Sequence, residues 1–426
     1  MNIKTKLFID RFFGQIFCFT LVPIVYCSGK ILRIDHSINN NNVKNIAVAK
    51  YFGIGSITHS VPMLKALKRK YPSAKLIFIT RVNNKELLPL IPYIDETLYI
   101  NDSGFVKLFI SSLKVLFKLQ RKRIDLFFDL EVFSSYGTMM SVFSLARNRF
   151  GFFWAKSTGF KIWLCTHLMY FNFNMPLRMS YMQLSHLAKT DTAASIDLEP
   201  FNLDETIYAS AREKIGKIFA NDASKLFCIN VNASDLSYTR RWRLENFAKT
   251  ALHFAEKGYN ILLLGSQDEK EYINTIYDFI TAGKEITCRI YNAAGYFSLK
   301  EVLAVLRLCD IFLTNDSGLM NLGYAQETKT VSIYGASIPQ FVHIDNGVNA
   351  AIYKKTYCSP CVHIFDTPPC GNLSVCINNI TPPEVIDTVE NVLKTDKKSS
   401  HAAFPLKGII AGENNGYVMG TLIRKS

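Results

Sequence analysis

Apolar positions along this chain follow two different periods, and the two periods take turns. Short β-branched and aromatic runs at Asn45–Lys50, Lys75–Thr80, Thr97–Ile100 and Ile124–Leu130 read as buried strands. Between them, helical spacing marks Val61–Tyr71, with Pro62 suited to a first turn, then the short Lys85–Ile91 and Phe105–Gln120. Ser134–Ala146 gives a further helix. Strands alternating with helices imply a parallel sheet with right-handed crossovers, hence a Rossmann-like domain. Phe150–Met182 is rich in Phe, Trp, Tyr and Met and less regular; it reads either as core or as a surface for a lipid-like acceptor or a membrane.

The acidic, proline-containing stretch Asp191–Asp204 reads as a joint, after which the alternation restarts. Helices are expected at Glu205–Phe219, Leu244–Lys257, Glu269–Phe279, Ser298–Leu308, Leu319–Ala325 and Pro383–Lys394. Strands are expected at Leu226–Val231, Asn260–Leu264, near Ile290, at Ile311–Thr314 and at Thr330–Tyr334. The organisation predicted is therefore an N-terminal apolar segment and linker (1–42), one Rossmann-like domain (43–195), a second (196–395) and a polar tail (396–426). At 426 residues, two to three domains fit the length.

Residues 12–29 carry no charge and are flanked by Arg11 and Lys30. Eighteen residues sit at the lower limit for crossing a bilayer, and Gly14, Gln15 and Pro23 weaken a straight span. The stretch reads as an in-plane or re-entrant anchor, with Lys4, Lys6, Arg11, Lys30 and Arg33 near acidic headgroups. A buried N-terminal helix and a signal peptide are the alternatives. The formal net charge of +14 suits an anionic lipid or a phosphorylated substrate, and no recognised motif organises it for nucleic acid. Cys358, Cys361, Cys370 and Cys376 are spaced as zinc ligands could be, or as disulfide partners in an oxidising compartment, or as free thiols.

The sharpest local signal is Asn315-Asp316-Ser317-Gly318, closing an apolar strand and opening a helix. Open α/β sheets bind ligands at such a strand's carboxyl end, where helix amides favour phosphate and an Asp can hold sugar hydroxyls. The bland alternative is a helix cap. No Gly-x-Gly-x-x-Gly turn follows the first strand, which disfavours a dinucleotide oxidoreductase.

Four blocks in order resemble glycosyltransferase family 9, the ADP-heptose–lipopolysaccharide heptosyltransferases: KYFGIGSITHSVPMLKALKRKYP, INVNASDLSYTRRWRLENFA, ILLLGSQDE and NDSGLMNLGYAQETKTVSIYGAS, within Asn45–Ala336. The resemblance implies a GT-B fold, two Rossmann-like domains facing a central cleft. It also implies inverting, metal-independent transfer from a nucleotide-diphosphate sugar such as ADP-heptose to a lipopolysaccharide-core or other glycolipid acceptor. The cytoplasmic face of the inner membrane is the expected place. Donor contacts would fall on Asn232, Ser234, Arg240, Arg241, Gly265, Glu269 (or Asp268), Asp316, Ser317 and Gly318.

Two positions depart from the family pattern. Ser56 stands where the family carries its catalytic Asp, and a serine hydroxyl is too weak a base alone. Glu131 and His59 are the replacements considered, with Glu131 favoured. Asn321 replaces the usual His, keeping hydrogen bonding but not charge. These departures leave a second reading open, a non-catalytic glycan- or nucleotide-binding member.

Overall fold

The computed structural model describes residues 3–38, 43–154, 159–220, 222, 225–233, 238–281, 289–362, 364–365 and 367–395. It divides into two compact units, the first running to Asp197 and the second starting at Leu198. The expected tail from Asp396 lies outside the described residues.

The first unit holds α1 (Ile3–Ile31), β1 (Asn45–Ala49), α2 (Ile54–Lys70), β2 (Lys75–Arg81), β3 (Glu96–Ile100), α3 (Phe105–Lys122), β4 (Leu126–Asp129), α4 (Ser135–Phe143), β5 (Asn148–Phe153), β6 (His167–Tyr170) and α5 (Leu177–His186). Its sheet is wholly parallel in the order β3-β2-β1-β4-β5-β6, the doubly wound Rossmann order. Because strand side chains alternate, Ala47, Ala49, Ile77, Ile79 and Phe127 enter one core with Val115 and Leu119 of α3 and Met140 of α4. On the other face Phe128 stacks on Phe150 at 4.4 Å.

Two sequence expectations for this unit are corrected. The α2 helix begins at Ile54 rather than Val61, because Gly53 (φ 84°) turns the chain straight from β1 into the helix, and Pro62 lies inside it. Lys85–Ile91 is not a helix of its own; 3₁₀ turns at Val82–Asn84 and Leu88–Leu90 occupy that region. The aromatic stretch contains β5, β6 and α5, with Phe150, Phe152, Phe171 and Tyr181 buried, so much of it is ordinary core.

The apolar N-terminus is one helix, long and apolar enough over Phe12–Ile31 to cross a membrane by length and composition. It nevertheless packs on its own unit. Cys18 and Leu21 are buried with Val142 and Leu164, and Gly14 lets the backbones close up, since a Cβ there would lie 2.8 Å from Ser135 Cβ. The Asp10 carboxylate accepts from the Tyr136 and Ser135 amides (2.9 and 3.1 Å), capping the positive end of α4.

The second unit holds α6 (Glu205–Ile218), β7 (Leu226–Asn230), α7 (Leu244–Glu256), β8 (Asn260–Leu263), α8 (Lys270–Thr281), β9 (Ile290–Asn292), α9 (Leu299–Leu308), β10 (Ile311–Asn315), α10 (Gly318–Ala325), β11 (Thr330–Tyr334), α11 (Pro339–Val342), β12 (Ala350–Tyr353), α12 (Val375–Asn378) and α13 (Pro382–Lys394). Its parallel order, β12-β11-β10-β7-β8-β9, repeats the first unit's order strand for strand. The strand β12 was not expected from the sequence. Phe227, Ile229, Ile261, Leu263, Leu313 and Ile333 form one core with Trp242, Phe247 and Val389. Ser298 and Glu301 cap α9 reciprocally, as their spacing predicts.

Candidate functional site

In the second sheet the strand order reverses between β7 and β10, the kind of switch point at which open α/β sheets bind ligands. Register brings polar ends together there. Thr314 pairs with Asn230, and Asn230 Nδ2 donates to Thr314 Oγ1 (3.2 Å) and Ser317 Oγ (2.9 Å). Asn315 clamps two loops at once: its Nδ2 donates to the Val231 carbonyl (2.8 Å) and its Oδ1 accepts from the Trp242 amide (3.0 Å). Trp242 is itself locked in the core, with its indole N–H on the Ile380 carbonyl (2.9 Å). The two arginines just before it are thereby held at the ends of β7 and β10.

Arg240 lies with Nη1 3.4 Å from Asp316 Oδ2, both largely buried, and Ser337 Oγ donates to the same oxygen at 2.5 Å. Arg241 donates to the Ala233 carbonyl (2.9 Å), and its guanidinium lies over the rings of Tyr238 (4.5 Å) and Tyr272 (4.9 Å). Asn232 Nδ2 donates to Glu269 Oε1. Glu269 also accepts from the Ser266 amide (2.7 Å) in a capping box, while Asp268 is exposed. Gly265 is tight: a Cβ there would come within 2.4 Å of Ile273 Cδ1. The Ser317 hydroxyl caps α10 by accepting from the Met320 amide (3.2 Å), and Asn321 turns its amide back onto the Ser317 carbonyl (2.8 Å). The cap reading therefore holds, with the Ser317 hydroxyl used internally and Gly318 opening the helix. Ser234 lies outside the described residues.

Sequence reasoning passed over Ser337, Asn230 and Asn315. Ser337 has a usable signal, a polar residue just past the buried strand Thr330–Tyr334; Asn315 stands in the Asn-Asp-Ser-Gly signal without a role of its own.

In the first unit, Asp129 pairs in register with Ala49. The chain beyond β4 then places Glu131 against the β1–α2 turn. Glu131 is buried, with Oε2 2.8 Å from Lys50 Nζ and Oε1 accepting from the Tyr51 (2.8 Å) and Phe52 (3.1 Å) amides. Burial alone would depress the Lys50 ammonium, but the adjacent Glu131 charge, helped by Tyr181 and Asp129, holds it above its ordinary value. Asp129 is fully buried, accepting from Thr138 Oγ1 (2.9 Å) and the Glu131 amide (3.1 Å), with Lys161 Nζ 3.3 Å away. Burial pushes its carboxyl up against the pull of Lys161. Two lysines and two carboxylates therefore form a buried, charge-balanced cluster at the carboxyl end of the sheet. Ser56 sits in the first turn of α2, half-buried. His59 lies in the second turn of α2 and is completely buried.

Cys361 and Cys376 are buried, Cys358 and Cys370 half-buried, and all four are free thiols. Burial pushes the Cys361 thiol up to about 11, with the other three thiols adding to the shift. Among the described residues, no group of three or more His, Cys, Asp or Glu is placed to hold a metal ion.

Two doubly wound units of identical strand order, with an arginine–aspartate pair at the switch point of the second, define a GT-B-type α/β protein. The fold agrees with solved structures. ADP-heptose lipopolysaccharide heptosyltransferase II of E. coli aligns at TM-score 0.65 and 18% identity, over 82% of this chain and 98% of that one. A glycosyltransferase family 9 protein of Veillonella parvula aligns at TM-score 0.66 and 20% identity, over 84% and 99%. Residues 118–370 match the profile of glycosyltransferase family 9 (heptosyltransferase), and the chain belongs to that family. A relative in Campylobacter jejuni subsp. jejuni serotype O:2, lipooligosaccharide heptosyltransferase 2, is 30% identical over 179 residues, 42% of this chain and 54% of that protein. Lipopolysaccharide heptosyltransferase 2 of Salmonella typhimurium is 32% identical over 102 residues, 24% and 29% of the two chains. The match therefore spans about half the length of the first of these relatives, or less.

Proposed function

We propose that the protein is an inverting, metal-independent glycosyltransferase. It moves a heptose-like sugar from a nucleotide-diphosphate donor, ADP-heptose in the first instance, to a lipopolysaccharide-core or related glycolipid acceptor at the cytoplasmic face of the inner membrane. The observation that carries this reading is the Arg240–Asp316–Ser337 cluster at the β7/β10 switch point, beside the start of α10. In the transfer, the acceptor hydroxyl attacks the anomeric carbon and the bond to the diphosphate oxygen breaks, its electron pair leaving with the phosphate. Arg240 and the first-turn amides of α10 offset that charge. Asp316, exchanging its Ser337 and Arg240 contacts for sugar hydroxyls, orients the donor. The proton passes to Glu131, which must first loosen one of its three donors. Membrane association through residues 12–29 completes the reading, supported by the exposed apolar side chains of α1 and the flanking Lys30 and Arg33.

A second reading, a non-catalytic donor- or glycan-binding member, has its own observation: Glu131 and Asp129 are already occupied by internal partners, His59 is buried, and Ser56 is no base. Incubating the protein with ADP-heptose and heptose-deficient core lipid decides between them by mass spectrometry of the lipid. Glycosylated product that Glu131→Ala abolishes supports catalysis; binding of donor without product supports the second reading.

A further inference from the structure

We infer that α3 is a second membrane-contacting element, and that α1 and α3 together form one face that lies flat on an anionic bilayer, with α1 along the membrane plane rather than across it. The inference rests on the membrane association proposed above and extends it to a part of the chain far from the N-terminus.

The α3 helix has one apolar stripe more than its fold requires. Leu108, Val115 and Leu119 face the core of the first unit. A second stripe, Phe105, Val106, Phe109, Ile110, Leu113 and Phe117, is exposed, where a surface helix of a globular protein carries polar residues. Beyond it runs a third stripe, Lys107, Lys114, Lys118 and Arg121, also exposed. No Asp or Glu occurs anywhere in Phe105–Lys122. An apolar band bordered by cations is the arrangement of helices that lie in the headgroup region.

The face is continuous with α1. The two helices flank α4: Phe143 at its end has its ring 6.1 Å from Phe17 of α1, while its carbonyl accepts from Gln120 Nε2 of α3 (2.7 Å). Phe12, Phe13, Ile16, Phe17 and Phe19 on the outer side of α1 are exposed as well. Contiguous apolar surface on this scale marks an interaction site. Its border selects the occupant: the neighbouring charges are cationic, which suits anionic headgroups. Crossing the bilayer would strip α1 from its unit. The amides of Ser135 and Tyr136 would lose Asp10, and Gln15 would lose Ser135 Oγ and the Phe160 amide.

The test is co-sedimentation of the full chain with vesicles of phosphatidylethanolamine and phosphatidylglycerol, against phosphatidylcholine alone. The variants are Phe109→Glu with Phe117→Glu, and Lys107, Lys114, Lys118 and Arg121 each to Gln. These positions are exposed, so thermal midpoints should stay at the parental value, which is checked first. The parent is expected to partition onto the anionic vesicles, the Phe pair to weaken partitioning at least about tenfold, and the Gln set to remove the preference for anionic lipid. If both variants bind like the parent, α1 alone anchors the chain: the inference fails and the membrane reading stands. If the parent binds no vesicle, both fail. If the variants leave vesicle binding intact but dissociate a dimer by light scattering, the face meets a second copy and the inference is overturned.

Discussion

Replacing Glu131 by Gln tests the buried cluster of the first unit most sharply. The substitution keeps the side chain's shape and one carbonyl acceptor for the Tyr51 and Phe52 amides, but removes the charge facing Lys50 at 2.8 Å. Lys50 and Glu131 are each 7% exposed, so water cannot take over the ammonium's solvation. Three charged groups then remain, Lys50, Lys161 and Asp129, with one positive charge uncompensated. Removing one partner of a buried pair costs about 3–5 kcal/mol. For a unit of this size that corresponds to a fall in melting temperature of roughly 6–20 °C. A compensating change, Lys50→Met, removes the orphaned charge, and the double variant should recover at least about 2 kcal/mol of the loss. Urea unfolding and calorimetry of the four proteins close the cycle, and transfer assays run beside them separate two roles. If Glu131 takes the acceptor's proton, the double variant regains stability but stays about 10²–10⁴-fold slower than the parent. If Glu131 only positions the β1–α2 turn, activity returns with stability. A single variant within about 1 kcal/mol of the parent would refute the reasoning, because the pair would then carry no weight.

Further outcomes follow from other contacts. Arg240→Ala should weaken donor binding roughly 10–100-fold by calorimetric titration, since a charge-assisted contact to phosphate is lost, and Arg240→Lys should recover only part of it. Gly137→Ala should cost about 2–3 kcal/mol in urea unfolding, because its Cβ would lie 2.2 Å from Asp129 Oδ1, an atom held by the Glu131 amide in a carboxylate whose other oxygen is held by Thr138 and Lys161. Burial, with the charges of His36 and Arg149 nearby, lowers the His167 imidazole to about 4. The unfolded chain therefore binds the proton first, so stability is lost as pH falls from about 6.5 to about 4, by about 3 kcal/mol. His167→Phe should flatten that stretch of a pH–stability curve.

The alternation of strand and helix was legible because each element carries its own period, and right-handed crossovers then imply a parallel sheet, but not the order of its strands. What local pattern could not supply was contact across distance. The aromatic stretch 150–182 concealed β5, β6 and α5, because buried strands and buried helix turns look alike when nearly every residue is apolar. The α2 start moved to Ile54 because Gly53 sets it, while Pro62, which suggested a later start, is accommodated within the helix. Of the cluster at the end of β10, Arg240 and Asp316 could be read from motifs, whereas Ser337 joins them only through the β10–β11 pairing. The Lys50–Glu131 pair links positions 81 residues apart, and nothing in either neighbourhood announces the other.

The proposed function rests on binding of a nucleotide-diphosphate sugar at the Asp316 end of the second sheet. It is tested most directly by thermal shift of the parent and Asp316→Ala against ADP-, UDP-, GDP- and CMP-sugars. A donor present at a hundred times its dissociation constant stabilises by about 2.7 kcal/mol, a shift of roughly 5–10 °C. Such a shift is expected for one nucleotide class, ADP foremost, together with its loss in Asp316→Ala. A shift that survives in Asp316→Ala, or none with any donor, would contradict it.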